Sequence, residues 1–73
     1  MPKQFSGREV VKRLTRLGYI VTSQRGSHLK MHSKSDSKVR TVIVPMHKQI
    51  AHGTLKSILS QAGISKEMLD EAK

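Results

Sequence analysis

The sequence predicts an α+β fold, with helices on one face of a three-stranded antiparallel sheet in the order α-β-β-β-α and a short helix at the end. Three observations predict it. A capping motif opens a stretch of helical period, Gly18 and Gly63 each stop such a stretch, and three runs of strand-forming residues joined by turn residues lie between them. No internal repeat, low-complexity tract or linker interrupts the chain, so residues 1–73 read as one domain.

The first helix has a marked start. Ser6-Gly7-Arg8-Glu9 fits a capping box, in which the Ser6 and Glu9 side chains each bond a backbone N–H that the helix leaves unpaired. Phe5 precedes the cap and is placed to staple onto Val10. Val10, Val11, Leu14 and Leu17 form one apolar face, while Lys12, Arg13 and Arg16 project elsewhere. Gly18 sits at the C-terminal cap position, so the helix spans about residues 7–17.

The period then changes to two. Tyr19-Ile20-Val21-Thr22-Ser23 favours a strand, and Arg25-Gly26-Ser27 reads as the hairpin connection. In the second strand, Leu29 and Met31 point one way and His28, Lys30 and His32 the other, the pattern of a half-buried strand. A polar turn at residues 34–38 leads to a third strand at 39–44, stopped by Pro45. Leu55, Ile58, Leu59 and Ala62 then form a second helical face ended by Gly63, and Ser65 caps a short helix carrying Met68 and Leu69. Packing the two longer helices on one sheet face buries Val10, Leu14, Leu17, Leu55, Ile58 and Leu59 together and leaves the other face in water. Double-stranded-RNA-binding domains share this element order, but topology alone carries no function.

Composition narrows the function. The net charge is +9, and between residues 10 and 66 eleven Lys or Arg residues face a single acid, Asp36. Such a field attracts a polyanion, most simply nucleic acid. With no cysteine, disulfides and thiolate metal sites are excluded. No apolar run is long enough to span a bilayer, and no signal segment opens the chain, so a soluble cytoplasmic protein without membrane contact is expected. Once both helices are packed, no apolar stripe is left over, which points to a monomer.

Four histidines are candidates for chemistry: His28, His32, His47 and His52. A metal site is not expected. His28 and His32 lie roughly 13 Å apart along one strand face, and acids are scarce. Protein-based nucleophilic catalysis is poorly supplied, since cysteine is absent and Ser27 and His28 are chain neighbours that a strand turns to opposite faces. RNA cleavage asks for less. The 2′-hydroxyl of the substrate is the nucleophile, so the protein needs only a proton-transfer group and positive charge on the phosphate. Histidine is the side chain that titrates near neutrality. Lys30 shares the face of His28 at roughly 6–7 Å along the strand, Arg25 lies in the adjoining turn, and Gly26 allows backbone to approach RNA closely. By these residues alone, His28 also reads as an ordinary surface histidine.

A set of motifs adds specificity. Ser6-Gly7-Arg8-Glu9-Val10, Leu17-Gly18-Tyr19, Gly26-Ser27-His28, Val42-Ile43-Val44-Pro45-Met46-His47, and Gly53-Thr54-Leu55-Lys56-Ser57-Ile58-Leu59 with Gln61-Ala62-Gly63 occur in that order. In these, over residues 6–69, the chain resembles the HicA-type (YcfA-like) toxins, small mRNA interferases of toxin–antitoxin pairs. The resemblance implies a double-stranded-RNA-binding-like fold and metal-independent endonucleolytic cleavage of mRNA without a cofactor. It also implies a catalytic histidine at Gly-Ser-His, here His28, and a cognate HicB-type antitoxin that masks it. Arg25, Gly26, Ser27 and Lys30 are then the expected RNA contacts. His47 is expected either to tether the strand–helix connection or to touch RNA. In one departure, His52 stands where the family often has Pro before Gly-Thr-Leu, which removes the usual marker for the start of the second helix.

Two other readings are consistent with the charge. A non-catalytic RNA-binding module of the same fold has no need of a histidine at Gly26-Ser27-His28. A transcriptional regulator would lay the second helix in a DNA major groove, against which the three intervening strands argue. With Phe5 and Tyr19 as the only aromatics, a base-stacking platform is not expected.

Overall fold

The structure is a computed structural model that describes residues 4–33 and 40–73. Its elements are α1 (Gly7–Arg16), β1 (Tyr19–Arg25), β2 (His28–Ser33), β3 (Thr41–Pro45), α2 (His52–Ala62) and α3 (Lys66–Glu71). The expected turn at 34–38 and the first residue of the expected third strand, Val39, lie outside the described residues.

Local chemistry sets the helix ends. The capping box of α1 is complete: Glu9 N–H donates to Ser6 Oγ at 3.1 Å, and Ser6 N–H donates to Glu9 Oε1 at 3.2 Å. Phe5 and Val10 are both buried, as a staple requires. Helix α1 ends at Arg16, one residue before the expected 17; Leu17 is its C-cap, and Gly18 follows with the positive φ (101) expected of it. Helix α2 begins at His52 without Pro and without a side-chain cap, and ends on left-handed Gly63. The Oγ of Ser65 accepts from Met68 N–H and starts α3.

The sheet is an antiparallel meander in the order β1-β2-β3. Helices cover one face. Met31, Val42, Val44, Val10, Leu14, Ile58 and Leu69 have essentially no exposed surface, and Phe5, Tyr19, Leu29, Ile50, Leu55 and Ala62 complete the cluster. Leu17 and Leu59, expected inside, pack on its rim. The buried Tyr19 hydroxyl donates to the Ala62 carbonyl at 2.7 Å, tying β1 to the end of α2. Arg13 does not project freely. Its Nη1 donates to the carbonyls of Leu69 at 3.1 Å and Asp70 at 2.9 Å, and its guanidinium lies 4.8 Å from the centre of the Phe5 ring. This cation therefore caps the C-terminal turn of α3, where the helix dipole favours positive charge.

The opposite sheet face is open. Helix packing does not use up the apolar residues: on this open face Ile43 keeps 36% of its surface exposed and Ile20 44%, while Val21, on the core side of the edge strand β1, keeps 49%.

Candidate active site

The site is the open-face end of the β1–β2 hairpin. Strand β2 presents His28 and Lys30 to solvent while Leu29 and Met31 anchor it in the core, as period two requires. The hairpin loop is Gly26-Ser27. Gly26 has φ +59 with no atom near its missing Cβ, and Ser27 does not share the positive φ, the Gly-first pattern of a type II′ turn.

Arg25 belongs to the strand, not to the turn as the sequence suggested. It is the last residue of β1 and stands directly opposite His28. Its orientation depends on an irregularity. Val21 pairs with Met31 but Ser23 pairs with Lys30, so Thr22 is an extra residue in the ladder. Tyr19 and Val21 lie on the core side, and strict alternation from them would put Ser23 and Arg25 there too. The bulge reverses the phase and brings both to the face of His28 and Lys30. Thr22 Oγ1 donates to the Lys30 carbonyl at 3.3 Å across it.

Two cross-strand rows result: Arg25, His28 and Pro45, then Ser23, Lys30 and Ile43. Directly opposed side chains have Cβ atoms about 4.5–5.5 Å apart. Ser23, Gln24, Arg25, His28, Lys30 and Ile43 line an open hollow of about 490 Å³. Among the described residues neither Arg25 nor Lys30 makes an ion pair, so both charges face the hollow uncompensated.

Of the expected contacts, Arg25, His28 and Lys30 are thus brought together. Gly26 and Ser27 shape the turn and do not line the hollow; the Ser27 carbonyl accepts from Met46 N–H at 2.6 Å, closing the strand ends. His47 is exposed, and it tethers through its main chain: its carbonyl accepts from Gly7 N–H at 2.9 Å, fixing α1 to the end of β3. His32 lies further along β2 and His52 at the start of α2. Among the described residues no three His, Asp or Glu side chains gather as metal ligands do. Ser23, Gln24 and Ile43 were not singled out in the sequence. The alternation of Val42 and Val44 with Thr41 and Ile43 carries the signal for Ile43; that for Ser23 is hidden by the bulge.

The geometry brings an imidazole and two cations together on an accessible face. Comparison with known proteins gives the family. The family model described as the HicA toxin of bacterial toxin–antitoxin systems matches residues 7–64 of the 73. The chain belongs to the HicA toxin family. It is a toxin-antitoxin toxin, and such a toxin has an antitoxin partner. The matched segment contains the hairpin, the whole sheet and the two longer helices. No match was found among curated proteins. Among the described residues no helix is long and apolar enough to cross a membrane.

Proposed function

We propose that this HicA toxin is a metal-independent endoribonuclease that cleaves mRNA, with His28 as its general acid or base. The observation that carries the reading is the set of His28, Arg25 and Lys30 on one solvent-facing surface, in a chain of this family. The RNA 2′-oxygen attacks the adjacent phosphorus, the P–O5′ bond breaks, the 2′ proton goes to a base and the departing O5′ takes a proton. An imidazole serves one of these transfers. Arg25, opposite His28, and Lys30, one row away, hold the phosphate oxygens and offset charge that grows on them. Gly26 and Ser27 let the backbone come close to the strand. Cleaving mRNA stops translation, and this activity places the protein in the cytoplasm. The partner is a HicB-type antitoxin that covers His28; the basic open face calls for an acidic surface on it.

The test is purified wild type and His28→Ala incubated with mRNA in excess chelator. Wild type is expected to cut, and His28→Ala to lose at least 100-fold, the lower range for a general acid–base group. Equal cutting by both proteins would remove His28 from the mechanism. RNA binding without cutting by wild type would leave a binding module.

A further inference from the structure

The open face is not where most of the free charge of the described residues sits. On α1, Arg8, Lys12 and Arg16 are all exposed and follow one another at four-residue intervals. Each step of four advances the helix by about 40° and 6 Å. The three cations therefore form a ridge centred on Lys12, on the side of α1 away from buried Val10 and Leu14. Like charges at this spacing destabilise an isolated helix, yet among the described residues none of the three has an ion-pair partner. The acid on the same helix, Glu9, is engaged in the capping box. Arg13, by contrast, is committed to the carbonyls of α3. A ridge kept at a cost to the helix, with no internal use, fits an external anion.

The spacing says which kind. A repeat of about 6 Å per step is close to that of successive phosphates in an RNA strand, which offers a full negative charge at every step. The ridge also starts at the right place. Gly7, next to Arg8, is pressed against Pro45 and Met46, and Pro45 is the residue paired with His28. Arg8 thus stands at the same end of the molecule as the site, with Lys12 and Arg16 leading away from it.

We infer that Arg8, Lys12 and Arg16 form a second phosphate-binding track, which holds the RNA strand flanking the bond at His28. This inference rests on the ribonuclease reading for its substrate, but not for its test. It makes the substrate a long single strand, held over several phosphates, rather than a short oligonucleotide held by the hollow.

The experiment measures binding of uncleavable 2′-O-methyl RNA by fluorescence anisotropy over a range of salt, using the full chain and the triple variant R8Q/K12Q/R16Q. Two probes are used: a trinucleotide, and a strand of about twenty nucleotides, longer than the ~4–16 of a typical single-strand site. For the long strand the variant is expected to bind at least tenfold more weakly. The slope of log affinity against log salt should flatten by about two units, at ~0.7 per phosphate contact. Trinucleotide binding and the thermal midpoint should not change, and the conservative R8K/R16K should keep the long-strand affinity. An unchanged slope would overturn the track. So would equal losses on both probes, which a general drop in field produces. Stronger ridge-dependent binding of polyglutamate than of RNA would reassign the ridge to an acidic protein. Because the probe cannot be cut, these outcomes are independent of whether His28 catalyses anything.

Discussion

At Gly7 the first turn of α1 passes so close to the end of β3 that a side chain has no room. A Cβ there would stand 2.7 Å from Met46 Cα and closer still to the Pro45 carbonyl oxygen, and both neighbours are backbone. The contact bears on chemistry, since Pro45 is the cross-strand partner of His28 and the Gly7 N–H is bonded to the His47 carbonyl. Gly7→Ala has to push α1 away from β3. The expected cost is about 1–3 kcal/mol, the range for overpacking a tight site, read as a lower denaturant midpoint. RNA cleavage should fall even at temperatures where the variant is fully folded, because the strand end behind His28 has moved. A variant with wild-type midpoint and wild-type cutting would show that the approach is not required.

The elements differ in how plainly the sequence announces them. Helix α1 was legible to within a residue because its signals are local: Ser6 and Glu9 bond each other's backbone across one turn, and Phe5 and Val10 meet beside them. The alternation of β2 was legible because one of its faces is buried and the other is wet. The Thr22 bulge was not, since it depends on where Tyr19 and Val21 dock relative to a turn fixed by Gly26. Nor was the fate of Arg13, which is set by α3, a long way off in the chain. The free edge of β3 is a third case. The Ile43 N–H, which an edge strand leaves open, donates to Gln61 Oε1 at 3.0 Å, and Gln61 Nε2 donates to Ser57 Oγ at 3.2 Å. A side chain of α2 thus occupies the place of a neighbouring strand, which blunts the edge and steadies Ile43 beside the hollow. Gln61→Ala should cost about 0.5–1.5 kcal/mol, the net worth of one hydrogen bond. Amide exchange should speed up at Ile43 more than at Val42 or Val44. Uniform acceleration along β3 would mean that the bond does not protect the edge locally.

For the whole molecule the consequence is a division of labour across a sheet one residue thick. Every fully buried side chain lies on the helix side, whereas Arg25, His28, Lys30 and Ile43 stand on the other, where none of them shares the core. Neighbours in the chain therefore answer to different demands. Met31, fully buried, and Lys30, exposed, are adjacent on β2. A domain of this size has only about 5 kcal/mol of stability to lose. Met31→Ala should remove about 2–5 kcal/mol through lost burial and the cavity left behind. At ~4–8 °C per kcal/mol for a domain of this length, the melting point should drop by tens of degrees or the cooperative transition should vanish. His28→Ala, three positions away on the same strand, removes a side chain that the core does not use. Its melting curve should overlay that of wild type, within the roughly ±0.5 kcal/mol typical of surface substitutions, even as RNA cleavage disappears. Thermal scans of the two variants beside wild type decide the matter. A large drop for His28→Ala would mean that the open face helps to hold the fold, and loss of cutting in that variant could then no longer be assigned to chemistry.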